Sequence, residues 1–277
     1  MDTLITAQWL FKNLTDPDLI ILDSSPESNV SGIVPKYPGI QIKGARTFNL
    51  KKSFSDPDSD LPNMMPHPDL FSEGCRKLGV NNNSKIVVYD NLGVYTSARV
   101  WWMFKVMGHK DISVLNGGLS AWIDNEFPFE PANESLGSIK KGNFKAVYNP
   151  ELIKNAEFIL KNIDTKECKV IDARSEGRFT GKTPEPHENL RGGHIPGSLS
   201  LPFEEVLKDG YYLPKPELIK VFKRLNLNDE PLIFTCGSGL TACIILLGME
   251  LASNNKKFLY DASWSEWGLK ESYPVEQ

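Results

Sequence analysis

Short apolar runs that end in a polar residue recur along the chain and alternate with longer stretches of helical period. Leu19-Ile20-Ile21-Leu22-Asp23 and Lys169-Val170-Ile171-Asp172 are runs of strand length closed by an aspartate. Lys85-Ile86-Val87-Val88-Tyr89-Asp90 and Pro231-Leu232-Ile233-Phe234-Thr235-Cys236 behave the same way. None of the four alternates between apolar and polar, so they predict strands covered on both faces. From Ser97 to Met107 the apolar positions Val100, Trp101, Phe104, Val106 and Met107 follow a helical spacing with a broad apolar face. From Thr241 to Leu251 the chain is apolar nearly all round, which predicts a buried helix. Covered strands interleaved with helices imply an α/β fold built on a mainly parallel sheet flanked by helices.

The pattern is written twice. Asp23 pairs with Asp172, Asp90 with Cys236, and Asn116-Gly117-Gly118-Leu119-Ser120-Ala121-Trp122 with Asp261-Ala262-Ser263-Trp264-Ser265-Glu266-Trp267. These features repeat at a near-constant interval of about 145–149 residues, the signature of tandem copies. The expected organisation is therefore a first domain over 1–130, a linker over 131–145 and a second domain over 146–277. The linker is polar and without period.

Composition narrows the partners. The 31 Lys and Arg against 35 Asp and Glu leave a net charge of −4, with no general attraction to nucleic acid or anionic lipid. Hydrophobic residues at 40% exceed what a disordered chain would carry. The N-terminus shows no secretory pattern, and the most apolar stretch, from Pro231 to Ala252, is too interrupted to span a bilayer. Four cysteines with no C-x-x-C pair suggest free thiols in a reducing, cytoplasmic setting. The four histidines are scattered without ligand spacing, so no metal is expected. No glycine-rich nucleotide fingerprint follows a strand.

Candidate chemistry concentrates after Phe234. In an open parallel sheet, ligands sit beyond the carboxyl ends of the strands. There Cys236-Gly237-Ser238-Gly239-Leu240-Thr241 joins a strand to a helix. Its glycines allow positive φ, so successive amides can turn inward as an anion nest beside the helix N-terminus. An anionic sulfur is stabilised in such a nest, which makes Cys236 a candidate nucleophile and Gly237, Ser238, Gly239, Leu240 and Thr241 its cradle. A phosphatase-type loop would place an arginine six residues after the cysteine; here Ala242 stands there. Cys243 lies inside the apolar helix and reads as core. Trp101, Trp102, Trp264 and Trp267 read as packing, and His194 as a turn or cap residue.

The loop resembles the active-site loop of the 3-mercaptopyruvate sulfurtransferases in the two-domain rhodanese superfamily. Arg99-Val100-Trp101-Trp102, Val114-Leu115-Asn116-Gly117-Gly118, Gly193-His194-Ile195-Pro196-Gly197 and Ser263-Trp264-Ser265-Glu266-Trp267 are similar to other habitual segments of that superfamily. The resemblance implies two rhodanese-like domains, the first silent because Asp90 stands where the second has Cys236. It implies transfer of sulfane sulfur from 3-mercaptopyruvate through a Cys236 persulfide to cyanide or a thiol such as thioredoxin, with no cofactor. The loop carries no basic residue of the kind thiosulfate-preferring relatives place there, which favours mercaptopyruvate over thiosulfate as donor. Gly177-Arg178-Phe179 looks like the segment whose arginine holds the substrate carboxylate. Thr183-Pro184-Glu185-Pro186-His187 resembles a segment that ends in a second arginine; here it ends in His187, and Arg191 is close enough in sequence to supply the charge. Phe48-Asn49-Leu50-Lys51-Lys52 offers no clear counterpart of the family's acid, so a Cys–Ser–acid relay is not implied. The alternatives are a thiosulfate sulfurtransferase and a non-catalytic binding module.

Overall fold

The computed structural model describes residues 1–132 and 139–277. Residues 133–138 of the expected linker lie outside the described residues. The chain divides into two compact units. Unit 1 comprises Met1–Pro57, Met65–Asn149 and Asp209–Tyr212; unit 2 comprises Asp58–Met64, Pro150–Lys208 and Leu213–Gln277. Each unit thus takes a short segment from the other half of the chain.

Unit 1 is built on five parallel strands: β1 (Leu4–Ile5), β2 (Leu19–Asp23), β3 (Arg46–Thr47), β4 (Lys85–Tyr89) and β5 (Ile112–Leu115). Their order across the sheet is β1-β5-β4-β2-β3. Unit 2 has β6 (Ile153–Lys154), β7 (Lys169–Asp172), β8 (Leu199–Ser200), β9 (Leu232–Thr235) and β10 (Lys257–Tyr260), again all parallel. Their order is β6-β10-β9-β7-β8, which is the topology of unit 1 repeated strand for strand. The repeat read from the sequence is therefore a repeat of fold, and each copy is the α/β arrangement with a parallel central sheet.

The central strands are apolar throughout because both faces are covered. Ile86, Val87, Val88 and Tyr89 are buried in β4, and Leu232, Ile233 and Phe234 in β9. Helix α1 (Ser97–Val106) follows β4, and Val100, Trp101, Trp102 and Phe104 are buried along it. In unit 2, α2 (Glu176–Phe179) follows β7. Helix α3 (Ala242–Ala252) follows β9 and buries every residue from Ala242 to Met249, which explains its lack of a polar face. Helix α4 (Ser263–Trp267) follows β10 and drives Trp264 and Trp267 into the core. Each indole still finds an acceptor: Trp264 Nε1 donates to Arg191 O and Trp267 Nε1 to Pro274 O, both at 2.8 Å.

His109 of unit 1 packs edge-on against Phe104 and Phe144 and donates from Nε2 to Ser84 O at 2.9 Å. Burial pulls its pKa below the usual imidazole value, and the hydrogen bond to Ser84 opposes this only in part. The unfolded chain therefore takes up this proton at higher pH than the folded one. Its contribution to stability is complete above about pH 6.5 and is lost as the pH falls through the lower, folded value. The urea midpoint should drop between about pH 7 and pH 5, less so in His109→Gln. Identical pH slopes for the two proteins would contradict the assignment.

Candidate active site

The carboxyl end of β9 leads directly into residues 236–241, and α3 begins at Ala242. Gly239 has φ +75°, a turn that a side chain at this position would strain. The backbone of the loop is pinned from α4. Trp264 N donates to Cys236 O at 2.9 Å, Ser265 N to Gly237 O at 2.8 Å, and Cys236 N to Ser263 Oγ at 3.2 Å. Ser263 itself has φ +53° and is fully buried, and its hydroxyl donates to Tyr260 O at 2.8 Å. Such a backbone is held only where its surroundings over-determine it. Here the surroundings are the strand end and the loop of residues 236–241. Cys236 is 1% exposed.

Unit 1 shows what this loop geometry does with a negative charge. Asp90, at the end of β4, is fully buried, yet every oxygen is satisfied locally. Oδ1 accepts from Leu92 N at 3.0 Å; Oδ2 accepts from Tyr95 N at 2.8 Å, Ser97 N at 2.9 Å and Ser97 Oγ at 2.7 Å. Leu119 N donates to Asp90 O at 3.0 Å, as Trp264 N does to Cys236 O in unit 2. The strand–loop–helix corner thus gathers amides around one buried anion. In unit 2 a sulfur takes the place of that carboxylate.

Arg178, on α2, stands beside the loop: a Cβ placed on Gly237 would lie 3.0 Å from its Nη2 and 3.9 Å from its Nη1. Gly237 is therefore the residue that lets a cation approach the loop. The guanidinium is held by Glu185 Oε2, which accepts from Nε at 3.1 Å and Nη2 at 2.5 Å. Glu185 Oε1 accepts from Arg174 Nη1 at 2.7 Å. Arg174 in turn is forked onto Asp172, with Nη2 to Oδ2 at 2.7 Å, and its guanidinium lies 4.0 Å from the ring centre of Trp264. Two arginines and two carboxylates form one network, and the side chains of Arg174, Asp172 and Glu185 are essentially inaccessible. Nη1 of Arg178 has no protein acceptor among the described residues, and that side chain keeps 20% exposure.

The remaining expected site residues separate. His187 is exposed, and its ring makes no hydrogen bond or ion pair among the described residues, so nothing holds it toward the loop. Arg191, expected as a second substrate cation, is engaged by backbone carbonyls. Its Nε and Nη1 donate to Gly268 O and Tyr273 O, and Nη2 to Trp267 O and Lys270 O. Four of its five N–H donors are thus spent on carbonyls around the end of α4. His194 stacks on Phe179 at 3.8 Å and hydrogen-bonds Phe179 O, a packing role. Cys243 is fully buried in α3. The sequence reading missed Glu185 and Ser263, although it quoted both segments. It also missed Asn63, whose Nδ2 donates to Ser238 Oγ at 3.0 Å.

Among the described residues no group of three or more His, Cys, Asp or Glu is placed to hold a metal ion. No described helix is long and apolar enough to cross a membrane.

Two copies of one parallel sheet, with a strand–loop–helix corner after the same strand of each, define a rhodanese-type protein. The rhodanese-like domain model matches residues 6–125 and 155–270, and the chain belongs to the rhodanese family. It is 34% identical to the 3-mercaptopyruvate sulfurtransferase of Escherichia coli K12, over 98% of this chain and 97% of that one. It is 36% identical to the thiosulfate sulfurtransferase of Mus musculus, over 95% and 91% of the two chains. Among solved structures, the crystal structure of SseA from Escherichia coli, described as a 3-mercaptopyruvate sulfotransferase of the rhodanese fold, superimposes with a TM-score of 0.82. That match has 31% identity and covers 95% of this chain and 99% of that one.

Proposed function

We propose that the chain is a sulfurtransferase that moves sulfane sulfur from 3-mercaptopyruvate to a thiol or cyanide through a persulfide on Cys236. The observation that carries this reading is the pair of equivalent loops. In unit 1 the corner wraps the Asp90 carboxylate in three amides and a hydroxyl, and in unit 2 a cysteine occupies the same place. A corner that wraps a carboxylate in amides is suited to holding the terminal sulfur of a persulfide after transfer.

The Cys236 thiolate attacks the donor sulfur. An S–S bond forms, and the S–CH2 bond breaks with its electron pair leaving on the pyruvate enolate. The donor's S–H proton passes to that carbon. Cys–S⁻ and HS–CH2–CO–COO⁻ thereby become Cys–S–S⁻ and pyruvate, with atoms and charge conserved. An acceptor thiolate or cyanide then attacks the outer sulfur and Cys236 thiolate leaves. The covalent intermediate splits one transfer into two steps, and neither asks for a metal or organic cofactor. Gly237 to Thr241 hold the outer sulfur between the steps. All four cysteines are free, which suits a reducing, cytoplasmic setting where thioredoxin or a small thiol serves as acceptor.

Arg178 is assigned to the donor carboxylate, its Nη1 being open while Glu185 fixes the rest of the fork. His187 is a secondary, unfixed donor. Arg178→Ala should cost about 1.5–3 kcal/mol, or roughly 10–150-fold in kcat/KM for mercaptopyruvate. Unchanged steady-state kinetics would place the carboxylate elsewhere. Thiosulfate is the second reading, supported by the 36% identity to the thiosulfate sulfurtransferase of Mus musculus. Steady-state rates with the two donors, measured side by side with cyanide as acceptor, decide between them. A higher kcat/KM with mercaptopyruvate supports the first reading, and a higher one with thiosulfate overturns it.

A further inference from the structure

The hydroxyl of Ser238 takes its partner from 175 residues earlier in the chain. Asn63 lies in the Asp58–Met64 segment, which belongs to unit 2 although the residues on both sides of it belong to unit 1. The asparagine is held firmly. It is buried, its φ is +60°, and Leu61 and Met64 beside it pack against the core of unit 2. A left-handed backbone is uncommon outside glycine, and asparagine is among the residues that tolerate it. The fold therefore brings this amide to the loop at some conformational cost.

A serine hydroxyl has one proton and two acceptor lone pairs. Asn63 Nδ2 fills a lone pair of Ser238 Oγ at 3.0 Å, which leaves the single proton to point away from the amide. Ser238 itself stands in the loop of residues 236–241, two residues after Cys236. An amide does not titrate in the working range, so it cannot draw the proton out of Ser238. Resting on the sulfurtransferase reading, we infer that Asn63 is a positioning residue. It turns the Ser238 proton into the sulfur cradle and keeps Ser238 a hydrogen-bond donor with no part in proton relay. Negative charge sits first on Cys236 Sγ and then on the outer sulfur, and a donor fixed in advance stabilises both without reorganising. The proton that completes pyruvate comes from the donor thiol, so the chemistry asks none of Ser238.

The test reverses the polarity of the contact. In Asn63→Asp a near-isosteric carboxylate can only accept, and it pulls the Ser238 proton toward itself. The expected result is a fall of about 100-fold in kcat for mercaptopyruvate, with KM within about twofold of wild type. Asn63→Ala, which merely frees the hydroxyl to rotate, should fall only about tenfold. Lowering the pH from about 8 to about 5 should restore the relative activity of Asn63→Asp, because a protonated carboxyl donates as the amide does. The titratable groups nearest in sequence to the two residues, the exposed Asp58 and Asp60 on the segment and Cys236 in the loop, are common to both proteins. Added to Ser238→Ala, the Asn63→Asp change should have no further effect on kcat. Wild-type kcat in Asn63→Asp, or an undiminished loss in the Ser238→Ala background, overturns the inference. Sulfur loading of wild-type Cys236 is scored in the same preparations. Its absence overturns the sulfurtransferase reading and this inference together, whereas normal loading with unaltered Asn63→Asp kinetics overturns this inference alone.

Discussion

Cys236→Ser should abolish sulfur transfer from either donor while leaving the fold intact. A serine hydroxyl is scarcely ionised near neutral pH and cannot carry a persulfide, so both half-reactions are lost. The substitution is small, and the backbone of residue 236 is fixed by Ser263 and Trp264 through main-chain atoms, so the loop keeps its shape. Cys243→Ser is the control. Its sulfur is buried in α3 and reaches Gly239 O at 3.4 Å, a contact a hydroxyl can replace, and most activity should remain. Rates with mercaptopyruvate and cyanide check both. Activity retained in the Cys236 variant and lost in a folded Cys243 variant would reverse the assignment.

Glu185→Ala should produce a large loss of stability in unit 2. The carboxylate pairs with Arg174 and Arg178 at once, and its removal leaves Arg178 without an acidic partner and Arg174 with Asp172 as its remaining carboxylate. Breaking a buried ion pair from one side costs about 3–5 kcal/mol, since the remaining charge stays desolvated. Against a typical domain stability of about 5–15 kcal/mol this is a large fraction, and the urea midpoint should fall accordingly. Glu185→Gln should lose less, because an amide oxygen still accepts from one arginine. The same change releases Arg178 from its fixed direction beside Gly237, so kcat/KM for mercaptopyruvate should fall even at temperatures where the variant is folded. A midpoint shift worth under about 1 kcal/mol would mean that the network is replaceable by water.

The two loops were legible in the sequence because their signals are local. The apolar runs at 85–89 and 232–235, the polar residue ending each and the glycines after Cys236 all lie within a few residues. The buried character of α3 was equally plain, since eight consecutive apolar residues, Ala242 to Met249, have few other places to go. What escaped is non-local. Glu185 sits between prolines and reads as a surface charge until the fold closes Arg174 and Arg178 around it. Arg191 offered the right charge near the right segment, but four carbonyls from residues 267–273 claim it, and no spacing rule announces them. Asn63 is separated from Ser238 by most of the chain, and nothing in its neighbourhood marks Asp58–Met64 as part of unit 2. Asp90 was visible as a missing nucleophile. That its carboxylate fills an amide cradle, and so shows what the corner is for, needed coordinates.

The persulfide is the centre of the account, and a mass measurement reads it directly. Purified, reduced protein is exposed to 3-mercaptopyruvate without an acceptor, then digested, and the peptide containing Cys236 is weighed. The account predicts a gain of about 32 Da on that peptide alone, removed by cyanide. An unmodified Cys236 under conditions that load the Escherichia coli relative, or sulfur found on Cys75, Cys168 or Cys243 instead, would contradict it and leave the chain a binding module on the same fold.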